Sequence, residues 1–159
     1  MLKGPFLSRN WMNSCSNFEE SDWILVGLPY DGTCSYKPGS RFGPEMIRLA
    51  SWNIETYSPY MEKDLENCKF YDAGDLEFPF GNREKTLELI EKNTKDVIIL
   101  NKKWLGIGGE HLVTYPAVKA YFEKYPDLKI IHFDAHTDLR EEYLGETLSH
   151  ASVIKRIAD

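Results

Sequence analysis

The sequence predicts an α/β fold, a three-layer α-β-α domain with a mostly parallel β-sheet. Short apolar runs, typical of strands buried on both faces, alternate along the 159-residue chain with longer segments of helical periodicity. Strands and amphipathic helices that alternate at this spacing favour βαβ units, in which helices cover both faces of the sheet. The composition, 42% hydrophobic and 28% charged, is ordinary for one globular domain.

Charge and cysteine content limit which partners and which cysteine-based sites we expect. The net charge is −6 and Lys and Arg form no run, so we expect no nucleic-acid and no membrane partner. Three cysteines without a CxxC pair support neither a disulfide framework nor a thiolate zinc site. No apolar stretch reaches the length of a membrane span or a signal sequence. The expected location is the reducing cytoplasm.

The first half of the chain predicts an arm, strands, a loop and a short helix. Residues 1–22 show no clear period and predict an irregular arm. Trp23–Leu28 is an apolar run that predicts the first strand, and the Gly- and Pro-rich segment after it predicts a long loop. Pro44, followed by an acidic residue in the first turn, predicts a helix through Ser51. Two further strands, the first a short edge strand, are predicted within residues 54–60 and 70–75.

The second half repeats strand, loop and helix. Asn82 is the predicted cap of a helix from residue 83 to about 102. Residues 104–109 predict a strand that ends in a glycine turn, and residues 130–134 predict another strand. Ser149 is the predicted cap of a last helix. The predicted core stripes of the three helices are Leu87, Ile90, Val97, Ile98 and Asn101; Val118, Tyr121, Phe122 and Tyr125; and Val153, Ile154 and Ile157.

Ionisable side chains follow two of the predicted strands. Asp134, His136 and Asp138 alternate directly after an apolar run, so in an extended strand they would lie on one face. His111 follows the glycine turn of the preceding strand. Because ligands in such folds bind at the carboxyl ends of parallel strands, these four residues are candidate metal ligands. An oxygen-rich shell with some imidazole suits Mn²⁺, and less strongly Fe²⁺, Co²⁺ or Zn²⁺.

Each of these residues also has an alternative role. Charged groups on one strand face repel one another unless a cation holds them, and the alternative is a solvated acidic turn with an exposed histidine. His132 shares the face but lies deeper, which favours a hydrogen-bonded histidine in the core or behind the ligands. His150 could face the strand ends or lie at the surface. The remaining expectations are an Asx-turn at Asp72 and Asp75 and ion pairs or interface contacts for Arg41 and Arg48.

Several motifs resemble those of the ureohydrolase family of arginases and agmatinases. Gly108-Gly109-Glu110-His111 is similar to the family's Gly-Gly-acidic-His motif, and Asp134-Ala-His-Thr-Asp138 resembles its most diagnostic run. Residues 27–31, 38–44 and 72–75 also resemble family segments. Residues 139–145 and 149–152 resemble agmatinases more than arginases. The resemblance implies an arginase-like fold.

The resemblance also implies a binuclear manganese centre. His111, Asp134 and Asp138 would bind one Mn²⁺, and Asp134 and His136 would bind the second, so that water activated by the metals attacks a guanidinium carbon. His150 would be the histidine that carries protons. With agmatine as the substrate the products would be putrescine and urea, and the acidic loop 141–146 would suit its distal ammonium group. The resemblance further implies a homo-oligomer, a trimer or a hexamer.

The resemblance covers the amino-terminal half of the family's domain. The family's second half supplies an Asp-x-Asp pair of metal ligands, and residues 1–159 contain no Asp-x-Asp. We therefore expect residues 1–159 to be the amino-terminal part of a single domain and the chain to be a fragment, which an in-frame Asp-x-Asp in the downstream DNA would establish. The alternatives are a ureohydrolase for guanidinobutyrate, arginine or formiminoglutamate, a zinc deacetylase on a similar sheet, or a non-catalytic module that binds one metal or associates with full-length subunits.

Overall fold

A computed structural model describes residues 10–15 and 17–159. The strands are β1 (Trp23–Leu28), β2 (Tyr57–Ser58), β3 (Lys63–Asp64), β4 (Phe70–Asp75) and β5 (Lys103–Gly108). The helices are α1 (Gly43–Ser51), α2 (Arg83–Ile99), α3 (Thr114–Lys124) and α4 (Val153–Ala158). Strand β1 lies between β4 and β5 and pairs with both in parallel, while β2 and β3 form a separate antiparallel pair.

The central strand β1 is covered on both faces, as the apolar run predicts. Ile24, Val26 and Leu28 pack on one face against a cluster that includes residues of α2 and α3. Because side chains alternate along a strand, Gly27 faces the other side. A Cβ atom there would lie 1.8 Å from Asp75 Oδ1 and 3.0 Å from Nη1 of Arg48, which belongs to α1. Helices therefore lie on both faces of a parallel sheet, and the predicted fold class is confirmed.

Most predicted boundaries match the observed elements closely. Strands β1 and β4 begin and end where the sequence predicts them, and the short strand predicted within residues 54–60 is β2. The Asn82 side chain accepts a hydrogen bond from Lys85 N at 2.9 Å and caps α2. Ser149 forms a capping box with Ser152 before α4, and Val153 is fully buried. The predicted arm falls partly on residues 1–9 and 16, which lie outside the described residues, and the described residues 10–15 and 17–22 contain no helix or strand.

Two predicted helix faces need correction. Helix α2 ends at Ile99, and Asn101 adopts a left-handed φ of 58° and is exposed, so it does not belong to the core stripe. In α3 the buried residues are Pro116, Ala117 and Ala120, whereas Val118, Tyr121 and Phe122 are half-buried and Tyr125 is exposed. Ala117 is part of the apolar cluster that packs on β1. A search for large apolar residues misses a contact face that is made of small ones.

The prediction of a strand at residues 130–134 is also wrong. This segment forms no strand, and the Ile131 and Phe133 side chains are 81% and 93% exposed. Strand β5 pairs only with β1 among the described strands, and residues 130–134 belong to neither of the described sheets. A strand is stabilised by hydrogen bonds to a neighbour, and an apolar run alone cannot supply them.

No helix among the described residues is long and apolar enough to cross a membrane.

A buried arginine joins α1 to β4. The Arg48 guanidinium donates from Nε to Asp72 Oδ2 at 2.7 Å and from Nη2 to Asp72 Oδ1 at 2.9 Å. Its Nη1 donates to Asp75 Oδ1 at 2.5 Å. The Asp72 side chain is fully buried, and Asp72 Oδ1 also accepts from Gly74 N, which confirms the predicted Asx-turn. The predicted ion pair of Arg48 is confirmed, and it is a buried, bidentate ion pair with Asp72.

We predict that Arg48→Ala lowers the free energy of unfolding by about 3–5 kcal/mol, because it leaves the buried Asp72 carboxylate without its counter-charge. The matched control is Lys92→Ala, which removes an exposed ion pair with Asp96 and should change stability little. Urea unfolding followed by circular dichroism measures both. Equal losses in the two variants would contradict the prediction.

The loop after β1 is held by Asp31. The buried Asp31 carboxylate accepts from Gly39 N at 2.8 Å and from Arg41 Nε at 2.7 Å, which confirms the predicted ion pair of Arg41. The hydrogen bond from the Arg41 side chain, together with the backbone donors, lowers the pKa of the Asp31 carboxyl below its ordinary value. The ionised form of Asp31 therefore stabilises the loop.

We predict that Asp31 contributes to acid denaturation. Because its folded-state pKa is lowered, its contribution is complete above the unfolded-state pKa of about 3.9 and is lost as the pH falls through the folded-state pKa. Asp31→Asn should be less stable than the wild type at neutral pH, and the two stability curves should converge in acid. Exposed Asp127→Asn is the control. Parallel curves for wild type and Asp31→Asn would refute this contribution.

Candidate metal centre

The turn after β5 is bound tightly to the end of β1. Backbone pairing continues past both strands, with Gly109 N donating to Leu28 O at 2.9 Å and Glu110 N donating to Tyr30 O at 2.8 Å. A Cβ atom at Gly109 would lie 2.0 Å from Tyr30 O, so only glycine fits this approach. The next residue, His111, begins a short 3₁₀ turn at the carboxyl edge of the sheet. The Gly-Gly pair thus fixes where the imidazole enters the site.

Four side chains with metal-binding atoms converge at this edge. Ligand atoms of His111, His132, Asp134 and Asp138 all lie within 4.8 Å of one another. His111 Nδ1 is 2.6 Å from Asp138 Oδ2 and 3.9 Å from Asp134 Oδ2. His132 Nε2 is 3.6 Å from Asp134 Oδ2, and the His132 ring stacks on that of His111 with centroids 5.3 Å apart. Two carboxylates and two imidazoles form a donor set that suits a divalent transition metal.

The two oxygens of Asp134 face different neighbours. Oδ2 faces His111 and His132, whereas Oδ1 accepts from His136 N at 2.8 Å and lies 3.4 Å from His136 Nδ1. The hydrogen bond from the His136 backbone is the main cause that lowers the pKa of the Asp134 carboxyl, and the nearby histidines lower it further. The lowered pKa favours the ionised carboxylate that metal coordination requires.

The structure brings together three of the four predicted ligands. His111, Asp134 and Asp138 belong to the cluster, but the His136 side chain is 82% exposed and does not. His132 takes the fourth place. The sequence signal for His132 is its position two residues before Asp134, which puts both side chains on one side of an extended segment. The assignment of individual residues as ligands stays a prediction.

The loop that carries Asp138 is bent and tied to the last helix. Asp138 has a φ of 47°, a left-handed conformation that is uncommon for a residue other than glycine and recurs at functional sites. Its carbonyl accepts from Lys155 N at 3.2 Å, and Arg140 N donates to Ala151 O at 3.4 Å. Helix α4 therefore supports the backbone that holds Asp138 at the cluster.

His150 lies against the loop that follows β1. Its backbone N donates to Thr33 Oγ1 at 3.0 Å, and its Nδ1 lies 2.7 Å from Thr33 O. The Tyr143 and His150 rings pack edge to face, with centroids 5.4 Å apart. Glu110 in turn binds Thr33. The sequence gives no period or spacing that would associate Thr33 with His150, and it indicates Glu110 only as part of a motif.

The acidic loop predicted to suit an ammonium group is already neutralised in part. Glu146 forms a 2.5 Å ion pair with Arg83, and Glu141 pairs with Lys155 and Arg156. Two cavities border the residues of the Glu110–Thr33 contact. One, of about 980 Å³, is lined by residues that include Thr33, Tyr143 and Glu146, and the other, of about 460 Å³, by residues that include Glu110 and His111.

Comparison with known proteins places this arrangement in a family. A family model described as the Arginase family matches residues 21–159. The chain is 51% identical over 149 residues to an agmatinase of Bacillus anthracis, covering 94% of this chain and 51% of that protein. It is 53% identical over 142 residues to an agmatinase of Bacillus subtilis, covering 89% and 49% of the two chains.

A solved structure supports the same relationship. The crystal structure of the agmatine ureohydrolase of Thermoplasma volcanium superposes with a TM-score of 0.85 at 31% identity and covers 97% of this chain and 51% of that one. The chain thus spans about half the length of the relatives it matches. The match over residues 21–159, the identity to the curated relatives and the shared fold all agree, and the chain belongs to the Arginase family.

Proposed function

We propose that this chain forms the amino-terminal part of the active site of an agmatinase, a manganese-dependent enzyme that hydrolyses the guanidino group of agmatine to putrescine and urea. The observation that carries the proposal is the convergence of His111, Asp134 and Asp138 at the carboxyl edge of a parallel sheet. The relatives named agmatinase support the choice of substrate, since they are about half identical to this chain over most of its length.

The donor set fits the proposed metal. Mn²⁺ prefers oxygen-rich shells completed by imidazole, and the cluster offers two carboxylates beside His111. We assign His111, Asp134 and Asp138 to one ion, and Asp134 and His136 to the second. The placement of the two Asp134 oxygens supports the assignment of Asp134 to both ions, because Oδ2 faces His111 and Oδ1 faces His136. His132, stacked on His111, would orient that ligand.

Two bound Mn²⁺ ions would supply a water molecule acidic enough to react as a nucleophile at neutral pH. The residues of this chain would do the rest. The carboxylates of Asp134 and Asp138 would hold the ions and offset part of their positive charge. His150 would give a proton to the amine that leaves, because an imidazole can accept and donate protons near neutral pH. Its Nδ1 is engaged with Thr33 O, so Nε2 is the nitrogen that exchanges the proton.

The assembly and location of the protein are also part of the proposal. The family resemblance favours a homo-oligomer, a trimer or a hexamer, that acts on a small molecule in the cytoplasm.

We predict that the metal ligands differ in their effect on Mn²⁺ binding. The tighter ion should be the one assigned to His111, Asp134 and Asp138, because it has more ligands. Asp138→Ala should weaken the binding of that ion by at least about tenfold, since it removes a ligand outright. His136→Ala should spare the tighter ion and reduce the number of ions bound at saturation. Titration followed by the electron paramagnetic resonance of free Mn²⁺ measures both quantities, with exposed Asp127→Ala as the control. Wild-type binding by Asp138→Ala would contradict the assignment.

We predict that the natural gene product containing this chain, supplied with Mn²⁺, releases urea from agmatine faster than from arginine or guanidinobutyrate. Asp134→Ala should abolish urea release, because it removes the carboxylate shared by the two ions. The Asp127→Ala variant should keep full activity. Urea release that is unchanged in Asp134→Ala would overturn the mechanism, and Mn²⁺ binding without urea release would favour a non-catalytic metal-binding module.

A further inference from the structure

A buried carboxylate connects the turn after β5 to the loop after β1. Glu110 is 6% exposed, and both of its oxygens bind one residue. Oε2 accepts from Thr33 N at 2.8 Å, and Oε1 accepts from Thr33 Oγ1 at 2.5 Å. Burying a carboxylate is unfavourable unless hydrogen bonds replace its water, and charged acceptors make the stronger bonds. The Glu110 side chain therefore fixes both the backbone and the hydroxyl of Thr33.

Thr33 in turn contacts both the backbone and the ring of His150. The Thr33 hydroxyl donates its hydrogen to Glu110, so its lone pairs are left to accept from His150 N at 3.0 Å. The Thr33 carbonyl lies 2.7 Å from His150 Nδ1. A carbonyl oxygen can only accept, so Nδ1 must carry the hydrogen, and in the neutral ring Nε2 then has a free lone pair.

We propose that Glu110 is a positioning residue that acts through Thr33 to hold His150 in the Nδ1–H tautomer. This inference rests on the proposed function, in which His150 exchanges a proton through Nε2. The carboxylate is required because Thr33 offers it two donors. A glutamine has the same shape, but its amide nitrogen donates and would displace the Thr33 hydroxyl hydrogen from its present acceptor.

A contact that only tied the two loops together would act differently. Its loss would lower stability without changing which ring nitrogen of His150 carries the hydrogen. The tautomer is thus the quantity that separates the two roles, and it can be observed in the natural gene product with neither metal nor substrate bound.

The test measures the ¹⁵N chemical shifts of the two ring nitrogens of His150 near pH 8. His150→Gln assigns the signals by removing them. The wild type should show a protonated Nδ1 and an unprotonated Nε2. Glu110→Gln and Thr33→Val should shift the ring toward the Nε2–H form, whereas Thr33→Ser, which keeps the hydroxyl, should retain the wild-type pattern. Glu88→Gln, an exposed change of the same kind, is the control.

A kinetic test of the same proposal uses the natural gene product with Mn²⁺ and agmatine. Glu110→Gln should lower kcat by at least about tenfold while KM changes little, and Thr33→Ser should stay near the wild type. Thr33→Val gives the same test if Glu110→Gln does not fold, and amide spectra check folding in both.

The outcomes separate the two proposals. A wild-type tautomer in folded Glu110→Gln and Thr33→Val overturns the positioning role, even if urea is released. If Glu110→Gln and Thr33→Val change the tautomer but the wild-type protein releases no urea, the positioning of His150 is supported and the agmatinase assignment is refuted. A changed tautomer in Glu88→Gln as well would overturn the inference, because the effect would not be specific to Glu110.

Discussion

The continued backbone pairing between β1 and β5 is the constraint on which the rest of the site depends. Hydrogen bonds from Gly109 and Glu110 to Leu28 and Tyr30 extend the parallel register beyond the last residues of the two strands. Because of this extension, the loop after β1 and the turn after β5 leave the sheet side by side. His111 then enters the cluster from one side of the turn, and Glu110 reaches Thr33 from the other. The turn that carries His111 and the loop that carries Thr33 are therefore placed side by side by the same two backbone hydrogen bonds.

Buried charge supports this arrangement at two further points. Arg48 joins α1 to β4 beneath the sheet, and Asp31 closes the loop that carries Thr33. In each case a carboxylate without solvent contact is matched by an arginine and by backbone N–H groups. Such contacts are directional, so they select one loop conformation where apolar packing would tolerate several. The long loop after β1 gains its order from these polar contacts rather than from a core of its own.

Much of the fold can be predicted from the sequence, because its central elements are specified locally. Strand β1 is a continuous apolar run, and Asn82 and Ser149 supply caps that mark helix starts. The strand expected at residues 130–134 could not be judged in this way, since a strand exists only beside a partner. Period-two alternation groups Asp134 with Asp138 and with His132, which all lie in the cluster. It also groups them with His136, whose side chain lies outside the cluster, because this segment bends instead of continuing as a strand. The Glu110–Thr33–His150 connection has no local pattern and becomes visible only in three dimensions.

The long sequence separation within that connection bears on how the protein folds. Thr33 and Glu110 are 77 residues apart, and Thr33 and His150 are 117 apart. Closing such loops costs conformational entropy before any contact is gained, and contacts of this range slow folding. The pairing of β1 with β5, which sets Trp23 beside Lys103, closes a loop of similar length. The contact between Thr33 and His150 has the longest range of these, so it would form only after the ribosome has released residue 150.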